Sequence, residues 1–253
     1  MFSVVVMPLS EFLAGDDDDF ELGAELLSQF QETLSEELGT PVSWSEEAGQ
    51  EGFEVEPVDL DLRELFALRV AAAYFEEHGD LKGCDPGEEP WRHPVFERLE
   101  KEDGSKKFPQ ILHAFSDAVC YAPVDLPDVF FLSPVDDEDE GEEGETAPGA
   151  EGEEAEDDDD ASSEEVGVGS LPALIEELEL LREPLGLPAR IEDIEVEQFV
   201  TNPDSPLSVV KYAWYHMRDR AREATSAKLP MLVVWNEFDE DDEDGEEDED
   251  TGG

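Results

Sequence analysis

The side chains best suited to chemistry are concentrated in one stretch of the sequence, from Gly79 to Leu126. Thiols, imidazoles, a hydroxyl and carboxylates occur there, and proteins use these groups as metal ligands, nucleophiles and general bases. A possible functional cluster within this stretch consists of Asp85, Trp91, His93, His113, Ser116 and Asp117. The sequence assigns no catalytic role to any of them.

A metal site would have to be drawn from two thiols and two imidazoles, namely Cys84, His93, His113 and Cys120. Zinc sites usually include at least one pair of ligands close together in the sequence. No such pair occurs here, so we expect these side chains to be satisfied separately. The sequence predicts no metal and no cofactor.

A nucleophilic site would use Cys120 or Ser116 with His113 as the base. Cys120 lies in an apolar, strand-like run, which indicates packing. His113 and Asp117 are four residues apart, so a helix would place them on one face. An extended segment would also place them on one face, but well apart along the strand. The sequence contains no GxSxG elbow, no phosphate-binding P-loop and no GxGxxG fingerprint. A metal-dependent or hydrolytic enzyme that uses residues 79–126 stays an alternative, but the pattern favours a protein that is not an enzyme.

Negative charge dominates the composition. The 253 residues include 72 Asp and Glu but only 15 Lys and Arg, which gives a net charge of −57. Residues 136–165 hold 18 of the acids and residues 236–253 hold 12, and neither run contains a base. The rest of the chain has 42 acids and 15 bases, so we expect the folded part to be acidic in its own right.

This charge repels nucleic acid and anionic membranes and attracts basic proteins and cations. We therefore expect a basic protein partner and no direct contact with nucleic acid or membrane. No run of 18 apolar residues occurs, and the apolar N-terminus lacks the basic residues of a signal peptide. Two isolated cysteines do not make a disulfide framework, which is typical of a reducing compartment. The cytoplasm is the expected location, and the oligomeric state stays open.

Hydrophobic periodicity and turn residues predict a series of helices and strands. Leucines at spacings of three and four predict a helix over 21–38, and similar stripes predict helices over 59–78, 171–183 and from Leu207 to Ala224. A short helix is expected from Pro94. Apolar β-rich runs predict strands over 2–7, 108–112, 119–124 and 231–235, the last as an inner strand because all its residues are apolar. Weak alternation over 40–56 suggests two further strands.

Strands near both ends, with helices between them, predict an α/β or α+β fold with a mixed sheet and helices packed on it. Residues 1–135 and 166–235 are expected to form one core domain. Residues 136–165 have too few apolar side chains to offset the entropy of ordering, which predicts a disordered acidic insert. Residues 236–253 predict a disordered acidic tail for the same reason.

One pattern in the sequence resembles a known group of proteins. It has three parts. The first runs from Gly79-Asp80-Leu81-Lys82-Gly83 to Pro90-Trp91, the second is Phe108–Leu112, and the third runs from Ser116-Asp117 to Pro123-Val124-Asp125. It is similar to uncharacterised bacterial cytoplasmic α/β proteins, some of which resemble immunity proteins of toxin systems. The resemblance covers about a fifth of the chain. It implies an α/β protein that binds another protein, and it transfers no site residue.

The hypothesis that best fits the charge is a non-enzymatic, acidic protein-binding module that engages a basic partner. Such a module could be immunity-like, or it could mimic nucleic acid and block a nucleic-acid-binding protein. Besides the enzyme, one further alternative is a surface adapted to high salt, which would account for acidity throughout the chain.

Overall fold

The computed structural model describes residues 1–14, 20–46, 56–101, 105–113, 118–132, 166–190, 196 and 205–235. These residues form a mixed six-stranded sheet with helices packed on it, which confirms the predicted fold class. The strands are β1 (Phe2–Val6), β2 (Val58–Leu60), β3 (Ala118–Ala122), β4 (Phe130–Leu132), β5 (Val166–Ser170) and β6 (Met231–Trp235).

Seven α-helices and one short 3-10 helix, Pro90–Arg92, are formed by the described residues. The α-helices are α1 (Leu9–Ala14), α2 (Phe20–Leu38), α3 (Leu62–His78), α4 (Pro94–Lys101), α5 (Pro109–His113), α6 (Leu171–Arg182) and α7 (Ser208–Ala227). The predictions for the long helices and for β1, β3 and β6 are confirmed to within a few residues.

The order of the strands across the sheet is β2-β1-β6-β3-β5-β4. Strand β6 lies between β1 and β3 and is antiparallel to both, while β3 and β5 are parallel. Because β6 contains only apolar residues, it can be covered on both faces. Its position between β1 and β3 confirms the prediction that it is an inner strand.

Alternate residues of the central strands face two separate hydrophobic cores, as the pleat of a strand requires. Helices α3, α4, α5, α6 and α7 form one layer, which we call the α3–α7 layer. Val4, Tyr121 and Val233 belong to the core between this layer and the sheet. Helices α1 and α2 form the other layer, which we call the α1–α2 layer. Cys120 and Leu232 belong to the core between this layer and the sheet. The sheet is thus the middle layer of three.

Capping and packing explain why the long helices of the α3–α7 layer begin and end where they do. The Ser170 side chain accepts a hydrogen bond from the Ala173 N–H at 3.1 Å and caps the start of α6. Gly79, with a φ of 77°, provides the left-handed residue that ends α3. Helix α7 contacts α6 through Trp214, which is fully buried and donates its indole N–H to the Leu178 carbonyl.

The prediction of an extended segment over 108–112 is wrong, because Pro109–His113 form helix α5. Pro109 suits the first position of a helix, and a short apolar run does not by itself distinguish strand from helix. Buried polar groups decide the outcome. Both Glu177 carboxyl oxygens accept backbone N–H groups, from Gln110 and Ile111 at 2.9 Å each, and Arg69 donates to the Leu112 carbonyl at 2.5 Å.

Strands β2, β4 and β5 were not predicted. Strand β5 contains Gly167 and Gly169, which are poor strand formers, and it directly follows the acidic run. Its structure requires a glycine at 169, because a Cβ atom there would lie 2.6 Å from the Gln110 side chain and 2.9 Å from the Tyr121 ring. Packing against α5 and β3 therefore explains a strand that local propensity hides.

Some predictions differ from the structure or fall outside it. Residues 41–46 are not a strand. Leu22, one of the periodically spaced leucines of α2, is 42% exposed. Residues 136–165 and 236–253 lie outside the described residues, so their predicted disorder stays a prediction. No helix of the described part is both long and apolar enough to cross a membrane.

The buried carboxyl group of Glu177 should make folding depend on pH. Burial raises its pKa to about 8, although the two N–H groups that it accepts act in the opposite direction. Because the folded-state pKa lies above the ordinary value, this group contributes stability that is complete below that value and is lost as the pH rises through about 8. For one group, the slope is at most about 1.4 kcal/mol per pH unit.

We expect Glu177→Gln to lower the free energy of unfolding by about 1–3 kcal/mol at pH 5, because a buried N–H loses its acceptor. The difference in unfolding free energy between the variant and the native protein should narrow as the pH rises to about 9, because the native protein then loses the stability that Glu177 contributes. Urea unfolding across this pH range measures both effects, with the exposed neighbour Glu176→Gln as the matched control. A gap that is constant or widens with pH would contradict the assignment.

Candidate functional site

The structure separates the two cysteines that a metal site would need. Cys84 is buried in the core of the α3–α7 layer, whereas Cys120 is buried on the opposite face of the sheet. Burial raises the pKa of Cys84 to about 11 and that of Cys120 further, so both stay protonated thiols at neutral pH. Among the described residues, no group of three His, Cys, Asp or Glu side chains could hold a metal ion.

Three members of the possible functional cluster lie in the segment between α3 and α4, where each has a structural contact. Asp85 accepts the Gly87 N–H in a turn, and His93 Nδ1 accepts the Val95 N–H at 3.3 Å. Burial and then Arg98 lower the pKa of His93, while Asp85 raises it, so Asp85 and His93 are coupled electrostatically. Trp91 packs edge-to-face on the Phe66 ring.

The remaining members of this cluster are only partly visible. His113 is the last residue of α5, and nothing is described of its side chain. Ser116 and Asp117 lie outside the described residues. The possible functional cluster therefore stays a prediction.

Charge is divided between the two helical layers. Residues 1–62, which include α1 and α2, contain 17 Asp and Glu but no Lys, Arg or His. All 15 Lys and Arg lie between Arg63 and Lys228, in the helices of the α3–α7 layer or in the segments beside them. None lies on a strand, on α1 or on α2. The sheet thus separates an acidic layer from a layer of mixed charge.

Many bases of the α3–α7 layer pair with acids of the same layer. Glu179 binds both Arg182 and Arg218, and Arg98 binds Glu77 at 2.7 Å. Arg220 pairs with Glu223 one helical turn away. These pairs compensate charge locally. The α1–α2 layer has no basic side chain of its own with which to do so.

Helix α2 presents its acids as one exposed stripe. Successive residues of an α-helix are rotated by about 100° about its axis. The fully buried Leu34 marks the side of α2 that faces the sheet, and the positions of the other residues around the helix follow from it. The outermost stripe, exposed to solvent, consists of Glu21, Glu25, Glu32 and Glu36. It extends over about 22 Å of the helix axis. Its acids form two pairs, Glu21 with Glu25 and Glu32 with Glu36, and the two members of a pair are about 6 Å apart along the axis.

Between the buried face of α2 and this acidic stripe lies a second stripe that borders an apolar groove. The α2 residues concerned are Leu26, Gln29 and Thr33, with Leu22 on the same line one turn before them. The opposite wall is the sheet, and the groove encloses about 310 Å³. Its other lining residues include Leu9, Phe12, Ala118, Cys120, Leu132, Val166 and Leu232.

Glu46 fixes the position of the α1–α2 layer. Its carboxylate accepts the Leu9 and Ser10 backbone N–H groups, at 2.9 and 3.0 Å, and the Trp44 indole N–H at 3.0 Å. It therefore ties the start of α1 to the segment that follows α2. Gly23 allows α2 to approach the Ser10 carbonyl closely, since a Cβ atom there would collide with it.

The acidic layer was not among the sites predicted from the sequence, which were drawn from reactive side chains. The absence of Lys, Arg and His from residues 1–62 was a visible signal, because such an absence is independent of folding. The groove had no equivalent signal. It depends on how far α2 stands from the sheet beside Ala118 and Val166, which local patterns do not determine.

Comparison with known proteins gives one match. A family model described as "Putative DNA-mimic protein" matches residues 1–233. No curated protein and no solved structure matches the chain. The resemblance to immunity proteins of toxin systems has no support in these comparisons and stays a prediction.

Replacement of Glu46 by Gln should loosen the α1–α2 layer, because an amide offers one acceptor oxygen where the carboxylate offers two. We expect Glu46→Gln to lower the free energy of unfolding by about 1–3 kcal/mol, measured by urea unfolding. Glu36→Gln, which removes the same charge from an exposed position on α2, is the control and should change stability by less than about 0.5 kcal/mol. Equal effects of the two changes would refute the role of Glu46.

Proposed function

We propose that this chain, which belongs to the DNA-mimic family, occupies the nucleic-acid-binding surface of a basic protein. Family membership follows from a match over residues 1–233 of 253. The observation that carries the proposal is the charge division: the charged side chains of α1 and α2 are all acidic, and every Lys and Arg lies elsewhere. The partner class is a DNA-binding protein, and the contact face is the α1–α2 layer.

Carboxylates can replace phosphates in such a contact for a simple chemical reason. Both present anionic acceptor oxygens, and the Arg and Lys side chains that bind phosphate form the same charge-assisted hydrogen bonds with carboxylate. A protein that offers carboxylates in a row therefore competes for the same basic surface. The exposed acids of α2 form a row of this kind, and helix α2 holds them at fixed spacing.

Charge density indicates that α2 alone is not sufficient. Duplex DNA carries about one charge per 1.7 Å of its axis, whereas the paired acids of α2 are about 6 Å apart along the helix. Further carboxylates must therefore contribute, and residues 1–62 contain 12 acids besides the five on α2, of which Glu46 is engaged within the fold. Neither the hydrolase nor the high-salt alternative is favoured by an observation on the described residues.

The proposal is tested by capture of proteins from a lysate of the source organism on the immobilised full chain. Elution with a duplex oligonucleotide is compared with elution by salt of the same ionic strength. We expect nucleic-acid-binding proteins to be released by the duplex at an ionic strength at which salt alone leaves them bound, because duplex and chain compete for one surface.

A quadruple variant, Glu21→Gln with Glu25→Gln, Glu32→Gln and Glu36→Gln, should bind the captured protein about 10- to 100-fold more weakly. The matched control removes four exposed charges from the α3–α7 layer, by glutamine at Glu88, Glu97, Glu176 and Glu183. Titration calorimetry at one salt concentration compares the two variants. Equal losses in both would show that net charge alone matters, and captured proteins that the duplex does not release would refute mimicry.

A further inference from the structure

The groove between α2 and the sheet has the size and lining of a site for apolar side chains. It encloses about 310 Å³. An apolar cavity of about 150 Å³ already accepts a benzene-sized ring, so this groove has room for roughly two such groups. Its walls consist mostly of Leu, Phe, Val and Ala side chains, among which Phe12, Phe30 and Val166 are partly exposed.

Every residue that lines this groove comes from a part of the chain without Lys or Arg. The lining residues lie within 1–62, 108–181 and 229–253, and none of these three ranges contains Lys or Arg. The acidic stripe of α2 follows the groove along one side. The opposite edge of the groove includes Leu132 and Val166, which belong to the paired strands β4 and β5.

Leu22 extends the same line of residues beyond the groove. It lies one turn before Leu26 on α2 and is 42% exposed. An exposed leucine beside an apolar groove widens the apolar surface that a partner can cover. The α2 surface thus presents an uncharged stripe, in which Leu22 and Leu26 are followed by Gln29 and Thr33, beside the acidic stripe over several turns.

We propose that this groove receives the apolar face of a basic amphipathic helix of the partner, while the helix's Lys and Arg side chains contact the acidic stripe of α2. This inference rests on the proposed function, because it identifies the element of the basic partner that is bound. A helix that places apolar residues at i, i+3 or i+4, and i+7 fits an apolar groove, and cations on its flanks complement the carboxylates.

Charge complementarity separates this occupant from two others. A second copy of the chain would bring its own net charge of −57 to an acidic rim. Residues 136–165 of the same chain contain no Val, Leu, Ile, Met or aromatic residue, so they lack the side chains that would fill the groove. A basic amphipathic helix supplies both the charge and the apolar groups.

The test uses two fluorescein-labelled peptides of about 18 Lys and Leu residues with identical composition. One places leucine at helical spacing, and the other has a permuted order without a helical period. At about 0.3 M NaCl, where the screening length is shorter than 8 Å, the periodic peptide should bind the full chain at least about tenfold more tightly by fluorescence anisotropy.

Two variants fill the groove without changing its charge, Thr33→Trp and Gln29→Trp. Each should reduce the tenfold preference for the periodic peptide to about twofold or less, because the apolar face then has no space. Ser28→Trp, at an exposed position of α2 that does not line the groove, is the matched control and should retain the preference. Circular dichroism of all three variants identifies any that fails to fold. If one filling variant fails to fold, the peptide preference of the other filling variant tests the groove site.

The outcomes separate this inference from the proposed function. Equal binding of both peptides, unchanged by either filling variant, would overturn the groove site while proteins released by duplex DNA would still support mimicry. Absence of duplex-released proteins would instead refute mimicry, whatever the peptides do. A dimer in sedimentation equilibrium that Thr33→Trp dissociates would assign the groove to a second copy and overturn the inference.

Discussion

The central strands of this protein are apolar on both faces, and the other elements are arranged to meet that constraint. Val233 and Leu232 are neighbours in β6, yet they face different cores. A sheet of this kind must be covered on both sides, so the chain needs two helical layers. The α3–α7 layer packs on one face, and α1 and α2 pack on the other. Among the described residues, the groove lies where this second, smaller layer does not fully cover the sheet.

The two layers tolerate negative charge by different physical means. In the α3–α7 layer, arginines lie between acids and form pairs such as those around Glu179. In the α1–α2 layer, the acids of α2 face water, where the high dielectric constant weakens their mutual repulsion. One acid of this layer is used structurally, because Glu46 accepts backbone and indole N–H groups. An acidic surface and an ordered layer are therefore compatible.

Long periodic segments could be predicted from the sequence, whereas short segments depended on distant partners. The leucine spacing in α2 and the unbroken apolar run of β6 predict their structures because many residues agree. Residues 108–112 have too few residues to decide, and Glu177, far away in the chain, determines that they become helix α5. Gly169 makes β5 look unlike a strand, although close packing on Tyr121 requires it. The acidic layer was readable as an absence of bases, but the groove was not.

The division of charge by the sheet also gives the molecule a direction. Within the part of the chain that the structure describes, all Lys and Arg lie on or beside the helices of one layer and the charged side chains of the other layer are all acidic, so this part carries an electric dipole in addition to its net charge. The field of a basic partner then exerts a torque as well as an attraction, and the torque turns the α1–α2 layer toward the partner before contact. Such orientation raises the fraction of productive encounters, so it increases the association rate more than the lifetime of the complex. Under the proposed function, charge placement, rather than charge alone, therefore governs how quickly this protein reaches the surface of its basic partner.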